Sequence, residues 1–288
     1  MKISNVMVSV DLGAAAADRV QLAAGLAERF EADLTGVAAR RIPGPEKAGD
    51  FREAQSRYSE EQGRLVDDLA SACAIFGGNA GTQVRTDWRQ AEARPAAFLV
   101  EQARFADLVV VGRLGPDDDA AADLGVEPGP VLMEAGRPVL VVPPGVEQLM
   151  AARIVVAWKD CPEARRAVMA ALPFIKRADQ VFVASAGGDA RFQGTEEISW
   201  HIARHGAHVT THLLNASPGE EADEILRFAR RQDADMVVLV HRPDAYERDD
   251  PRAGEADFIL GKHRAGPTAT VTVAHQLHYS RFVDMAKG

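Results

Sequence analysis

The chain is expected to fold as two doubly wound α/β units in tandem. Three observations predict this: strand-like and helix-like segments alternate throughout, the strand-like ones are continuous β-branched runs, and the pattern occurs twice. At 288 residues the chain is long for one domain and comfortable for two. Runs such as LVVVG and PVLVV suit parallel strands buried on both faces. Alternation of strand and helix then requires right-handed crossovers.

Each element has a place in this plan. Strands are expected near 3–10, 33–39, 82–86, 107–111 and 138–142 in the first copy. In the second they are expected near 153–158, 179–185, 207–214, 235–240 and 268–274. The repeat shows in paired segments. NVMVSVDLG opposes RIVVAWKDC, with Asp11 on Lys159, and FADLVVVGR opposes DADMVVLVHR, with Ala106 on Ala234. The offset falls from 148 to 128, so the first copy carries about 20 extra residues, placed in the helical stretch from Pro45 to Phe76. Ser217-Pro218-Gly219-Glu220 has the form of a capping box and predicts a helix with proline in its first turn. Pro143, Pro144 and Gly145 mark the boundary, giving units 1–146 and 152–280.

Composition excludes several classes. A net charge of -9 argues against a phosphate-backbone binder and against attraction to anionic membranes, so neither nucleic acid nor a membrane is expected as a partner. The N-terminus lacks the form of a signal peptide, because Asp11 interrupts its apolar run, and no stretch approaches a membrane span. The expected location is the cytoplasm. Cys73 and Cys161 are too far apart for a metal-ligand spacing and read as small apolar residues.

Chemistry is expected at the carboxyl ends of the strands, where doubly wound sheets bind ligands. Asp11 ends the first strand there. Gly112, Gly115 and Gly125 lie in the loop GRLGPDDDAAADLGV after the fourth, ahead of a helix whose N-terminus favours an anion. The G-x2-G-x9-G spacing, Asp11, PVLVV and the duplication together resemble the universal stress protein family, in its tandem form. The resemblance covers nearly the whole chain. It implies a flavodoxin-like (adenine-nucleotide alpha hydrolase-like) sheet of five parallel strands in each unit, in the order 3-2-1-4-5, with last strands pairing into an intramolecular pseudo-dimer. A homodimer and an unknown protein partner stay open.

By the same resemblance Asp11 and Ala39 would hold adenosine, and Gly112, Gly115, Gly125 and Val126 the ribose and phosphates of ATP or AMP, with Mg²⁺ only alongside the nucleotide. Two features depart from the family. Val126 stands where it has Ser or Thr, and Asp117, Asp118, Asp119 and Asp123 crowd the loop with negative charge. These aspartates read as a solvated loop tip. In the second unit Lys159 replaces Asp11 and the loop after the fourth strand loses its early glycines, so that site is expected to be degenerate.

No residues form a recognisable catalytic set, since G-x-S-x-G, a Walker-A lysine and a Cys-His pair are all missing from the sequence. His201, His205, His208 and His212 read as a helix end and an edge strand rather than a metal site, because HExxH is absent. The expected function is therefore a non-catalytic stress-response or regulatory protein with a decayed nucleotide site. An ATP- or AMP-binding switch and a slow nucleotide hydrolase are its alternatives.

Overall fold

The computed structural model describes residues 2–43, 51–113, 123–239, 255–259, 270–276 and 281–283. Contacts divide the chain into two units, Ile3–Gln148 and Leu149–Gly288 with Met1–Lys2. No helix among the described residues is long and apolar enough to cross a membrane.

The first unit is built on strands β1 (Asn5–Ser9), β2 (Asp33–Arg40), β3 (Thr86–Glu92), β4 (Leu108–Gly112) and β5 (Val139–Val142). They form one sheet in the order β3-β2-β1-β4-β5, all parallel. Helices α1 (Ala16–Phe30), α2 (Phe51–Asn79), α3 (Pro95–Gln102) and α4 (Pro128–Glu134) make the crossovers. Sheet residues pack on α3 and α4 through Met7, Val37, Leu99, Val109, Val111 and Val131, all buried. Gly36 lets the Phe76 ring lie against β2, where a Cβ would come within 2.6 Å of it.

The third strand is Thr86–Glu92 rather than 82–86. It is the half-exposed edge of the sheet, so its seven residues lack the continuous apolar run that marks β1 and β4.

A carboxylate fixes how β4 meets β1. Asp107, just ahead of β4, accepts from the amides of Ser4 at 2.8 Å and Asn5 at 3.1 Å, and its own amide donates to the Asn5 carbonyl at 3.0 Å. The pairing Val6↔Leu108 follows directly.

The second unit holds β6 (Arg153–Ala157), β7 (Gln180–Ala186), β8 (Val209–Leu214) and β9 (Met236–Val238) in one parallel sheet of order β8-β7-β6-β9. Helices α5 (Pro162–Ile175), α6 (Thr195–Ala203) and α7 (Glu221–Arg231) connect them. At 29 residues α2 is longer than the 9-residue α6 by the twenty residues that the repeat offset requires. Asp235 repeats the role of Asp107, accepting from the amides of Ala152 at 2.9 Å and Arg153 at 3.0 Å.

Two expectations fail here. Ser217–Glu220 is a turn, closed by the Glu220 amide on the Ser217 carbonyl at 3.0 Å. The helix starts only at Glu221, so no capping box forms. Gly219 adopts φ 86°, which carries the chain out of a helical path at that point. A fifth parallel strand at 268–274 is also absent among the described residues. Thr270–Gln276 is instead β11, the middle strand of an antiparallel sheet with β10 (Glu255–Ile259) and β12 (Arg281–Val283). The second half is therefore not a second five-stranded copy.

His212 on β8 sits against Phe182 and Phe228, with ring centroids 5.8 and 4.7 Å away. Desolvation there lowers its pKa. The neutral ring is thus favoured by folding. The stability it contributes is complete above the unfolded value of about 6.5 and is lost as pH falls through the lower folded value. Denaturation midpoints of the second unit are expected to drop on acidification below about pH 6.5, and His212→Leu to blunt that drop. Asp107→Ala and Asp235→Ala are each expected to cost about 1–3 kcal/mol in urea unfolding, since each strands two strand-initiating amides.

Candidate functional site

The carboxyl edge of the first sheet gathers the sequence-predicted residues that lie in the described part of the chain. Asp11 follows β1 and is buried. Both of its oxygens are engaged: one accepts from the Gly13 amide at 3.0 Å, the other from the Arg19 guanidinium at 2.7 Å. Arg19 is 4% exposed and also donates through Nε to the Ser9 carbonyl at 2.9 Å. The guanidinium lies beside Gly112, where a Cβ would collide with its Nη1. The glycine at the end of β4 is thus required by an arginine of α1, whatever else it serves. The Ser9 hydroxyl is buried with no hydrogen-bond partner among the described residues.

Ala39 is buried within β2, opposite Ala91. Arg40, next along the strand, gathers three carboxylates. They are Glu61 at 2.9 Å and Asp68 at 3.2 Å, both from α2, and Asp123 at 3.0 Å from the segment before α4. Burial alone would lower the Arg40 pKa, but the Asp123 hydrogen bond and the charges of Asp123, Asp68 and Glu61 raise it overall. Arg64 also pairs with Glu61 at 2.9 Å, so two cations meet three anions and the corner stays negative and unfavourable for a polyphosphate.

Val126 is a core residue, packed with Met7, Val37 and Val131. Its side chain has no ligand to offer, and Gly125 beside it is half-buried. Gly115, Asp117, Asp118 and Asp119 lie outside the described residues. The structure therefore brings Asp11 and Gly112 together, but through Arg19. Neither Arg19 nor Arg40 is singled out by a motif. The available signal is a cation set among apolar neighbours, Arg19 beside Val20 and Arg40 after Ala38-Ala39.

In the second unit the same edge is closed by the protein itself. Trp158, after β6, is buried, and its indole donates to the Gln193 carbonyl at 2.6 Å. The buried Ser185 hydroxyl bonds the Trp158 carbonyl and the Thr195 hydroxyl, both at 2.8 Å. Cys161 caps α5, its sulfur accepting from the Ala164 amide at 3.4 Å.

The doubly wound sheet of order β3-β2-β1-β4-β5 is that of the universal stress proteins. A universal stress protein from Archaeoglobus fulgidus superposes with a TM-score of 0.55 at 16% identity, over 81% of this chain and 83% of its own. That likeness is one of fold alone.

The chain's C-terminal part is similar to something else. Residues 228–284 match the DnaB-like helicase C terminal domain family. The replicative DNA helicase DnaB of Mycobacterium intracellulare is 79% identical over 81 residues, which are 26% of this chain and 14% of the helicase. Its Mycobacterium leprae counterpart is 60% identical over 81 residues, 26% of this chain and 13% of the helicase. The chain thus spans about one seventh of the length of these relatives.

The match overturns three expectations. A non-catalytic stress-response or regulatory role does not fit a chain whose named relatives are replicative helicases, and the stress-response label falls with it. Exclusion of nucleic acid from bulk charge fails as well, because the average over the chain conceals a helicase-like segment. The match begins inside α7 and includes β9, so the DADMVVLVHR half of the apparent repeat belongs to the helicase-like segment.

The Asp11–Arg19 pair generates a test. Asp11→Ala leaves a guanidinium buried without its anion and is expected to destabilise the first unit by about 3 kcal/mol in chemical denaturation. The paired change Asp11→Leu with Arg19→Met is expected to recover most of that loss.

Proposed function

We propose that this chain works with DNA in a helicase setting, through the segment 228–284. The single observation that carries this is the match of residues 228–284 to the DnaB-like helicase C terminal domain. The segment's chemistry supports it. The segment as a whole is near neutral, but its cations gather late: from Gly261 to Val283 Lys262, Arg264 and Arg281 meet no acid. Lys262 and Arg264 follow Ile259 by three and five residues in the sequence. A lysine and an arginine two residues apart between Gly261 and Gly266 suit contact with phosphate oxygens.

The segment would act with other subunits rather than as a motor by itself. The sequence contains no G-x-x-x-x-G-K-[ST] loop to cradle a triphosphate. The units ahead of the segment would serve as its carrier. A nucleotide at the carboxyl edge of the first sheet enters this proposal only without help from the Asp11 carboxylate, which Gly13 and Arg19 already occupy.

Fluorescence anisotropy with a labelled single-stranded oligonucleotide tests the reading. The full chain is expected to bind at about 50 mM salt and to weaken steeply as salt rises. Lys262→Ala with Arg264→Ala is expected to lower affinity about tenfold and to flatten the salt slope by about two charges. Absence of binding by the folded full chain at low salt would overturn the proposal.

A further inference from the structure

We propose that His201 and His205 form a two-histidine clip for a borderline divalent transition ion, Cu²⁺, Ni²⁺ or Zn²⁺, at the end of α6. The spacing comes first. His201 lies in the last turn of α6, and His205 follows four residues later, where the His205 amide still bonds the Ile202 carbonyl at 3.0 Å. The two side chains therefore stand on one face of the helix end.

Their geometry suits one shared ion. The ring centroids are 5.0 Å apart, with the planes at 77°. Two imidazoles bound to one tetrahedral ion through nitrogens at about 2.0–2.1 Å place their centroids about 5 Å apart. The contact is edge-to-face, and both rings lie on the outer side of the unit, His201 exposed and His205 half-buried.

The rings are also available. His212 uses its Nε2 on the Thr210 hydroxyl at 2.9 Å and packs between two phenylalanines, so it is committed elsewhere. Neither the His201 ring nor the His205 ring takes part in a hydrogen bond among the described residues; their contact is with each other. The Lys176 ammonium acts on His205 from nearby. The last carbonyls of α6 add a negative helix end that favours a cation. Lys176 opposes it, so the charges nearby balance rather than build an anionic trap.

Among the described residues no group of three or more His, Cys, Asp or Glu is placed to hold a metal ion. Water therefore fills the remaining coordination positions, and the ion exchanges readily. Copper is expected to bind tightest, in the order that nitrogen sites impose on divalent ions.

Isothermal titration of the chelator-stripped full chain with Cu²⁺ alone tests the clip. One ion is expected to bind with micromolar affinity near neutral pH. His201→Gln and His205→Gln are each expected to weaken it about tenfold or more, with His208→Gln unchanged. Circular dichroism confirms that each variant is folded. Copper-induced broadening of the histidine ring signals in NMR is expected at His201 and His205 first. Unchanged affinity in both variants, or loss of the same binding on His208→Gln or on replacing His263, His275 and His278, would overturn the proposal.

Discussion

Everything in both parallel sheets depends on one carboxylate placed before the fourth strand. Asp107 and Asp235 each take two amides at the start of the first strand of their sheet, at distances between 2.8 and 3.1 Å. Strand-initiating amides at a sheet end have no ladder partner of their own, and a buried or half-buried donor left empty is costly. By accepting both, the aspartate pins the first strand to the fourth in a single register, Val6↔Leu108 in one sheet and Ile154↔Met236 in the other. The register then decides which residues reach the carboxyl edge together, and so decides where Asp11 meets Gly112.

That edge shows how a ligand-type position can be turned inward. An aspartate after the first strand and a glycine after the fourth would hold a ligand if both faced a crevice. Here Arg19 fills the space that Gly112 leaves and neutralises Asp11. The pair is buried, so its worth lies in the mutual loss that either partner's removal would cause. Arg40 works in the same way one strand over, tying α2 and the segment before α4 to the end of β2. Arginine suits both places, because its planar fork can bond several acceptors at once while staying charged.

Much of the first unit was legible in the sequence. Apolar runs located β1, β2, β4 and β5 to within a few residues; burial on both faces makes such runs in β1, β2 and β4, while the edge strand β5 keeps its run although half-buried. The edge strand β3 was displaced because half-exposed strands carry no such signal. Arg19 and Arg40 were invisible for a different reason: their partners are eight to more than eighty residues away, and no local spacing encodes them. The second unit misled more. A capping box in sequence became a turn, because Gly219 took a positive φ, and TVTVA, a good last strand by composition, pairs antiparallel with β10 instead. Bulk charge misled in the same manner, since an average of -9 does not show where cations gather, as at Lys262, Arg264 and Arg281 with no acid from Gly261 to Val283.

The apparent repeat at Ala106 and Ala234 has a physical origin that does not require common descent of the two stretches. A helix must end, its next residue must be small enough to pack under the sheet, an acid must receive the first strand's amides, and an apolar strand must follow. Ala106 and Ala234 are both buried, and both precede the clamping aspartate. The helicase-like match starts inside α7 and already contains Ala234, Asp235 and β9. A stretch similar to a helicase therefore meets every local demand of the fourth position in the β8-β7-β6-β9 sheet. Past Val238 the demands diverge: a fifth parallel strand would need a crossover helix, whereas the chain next shows paired antiparallel strands. The parallel plan is shared through β9, and the next strands among the described residues, β10 to β12, are antiparallel.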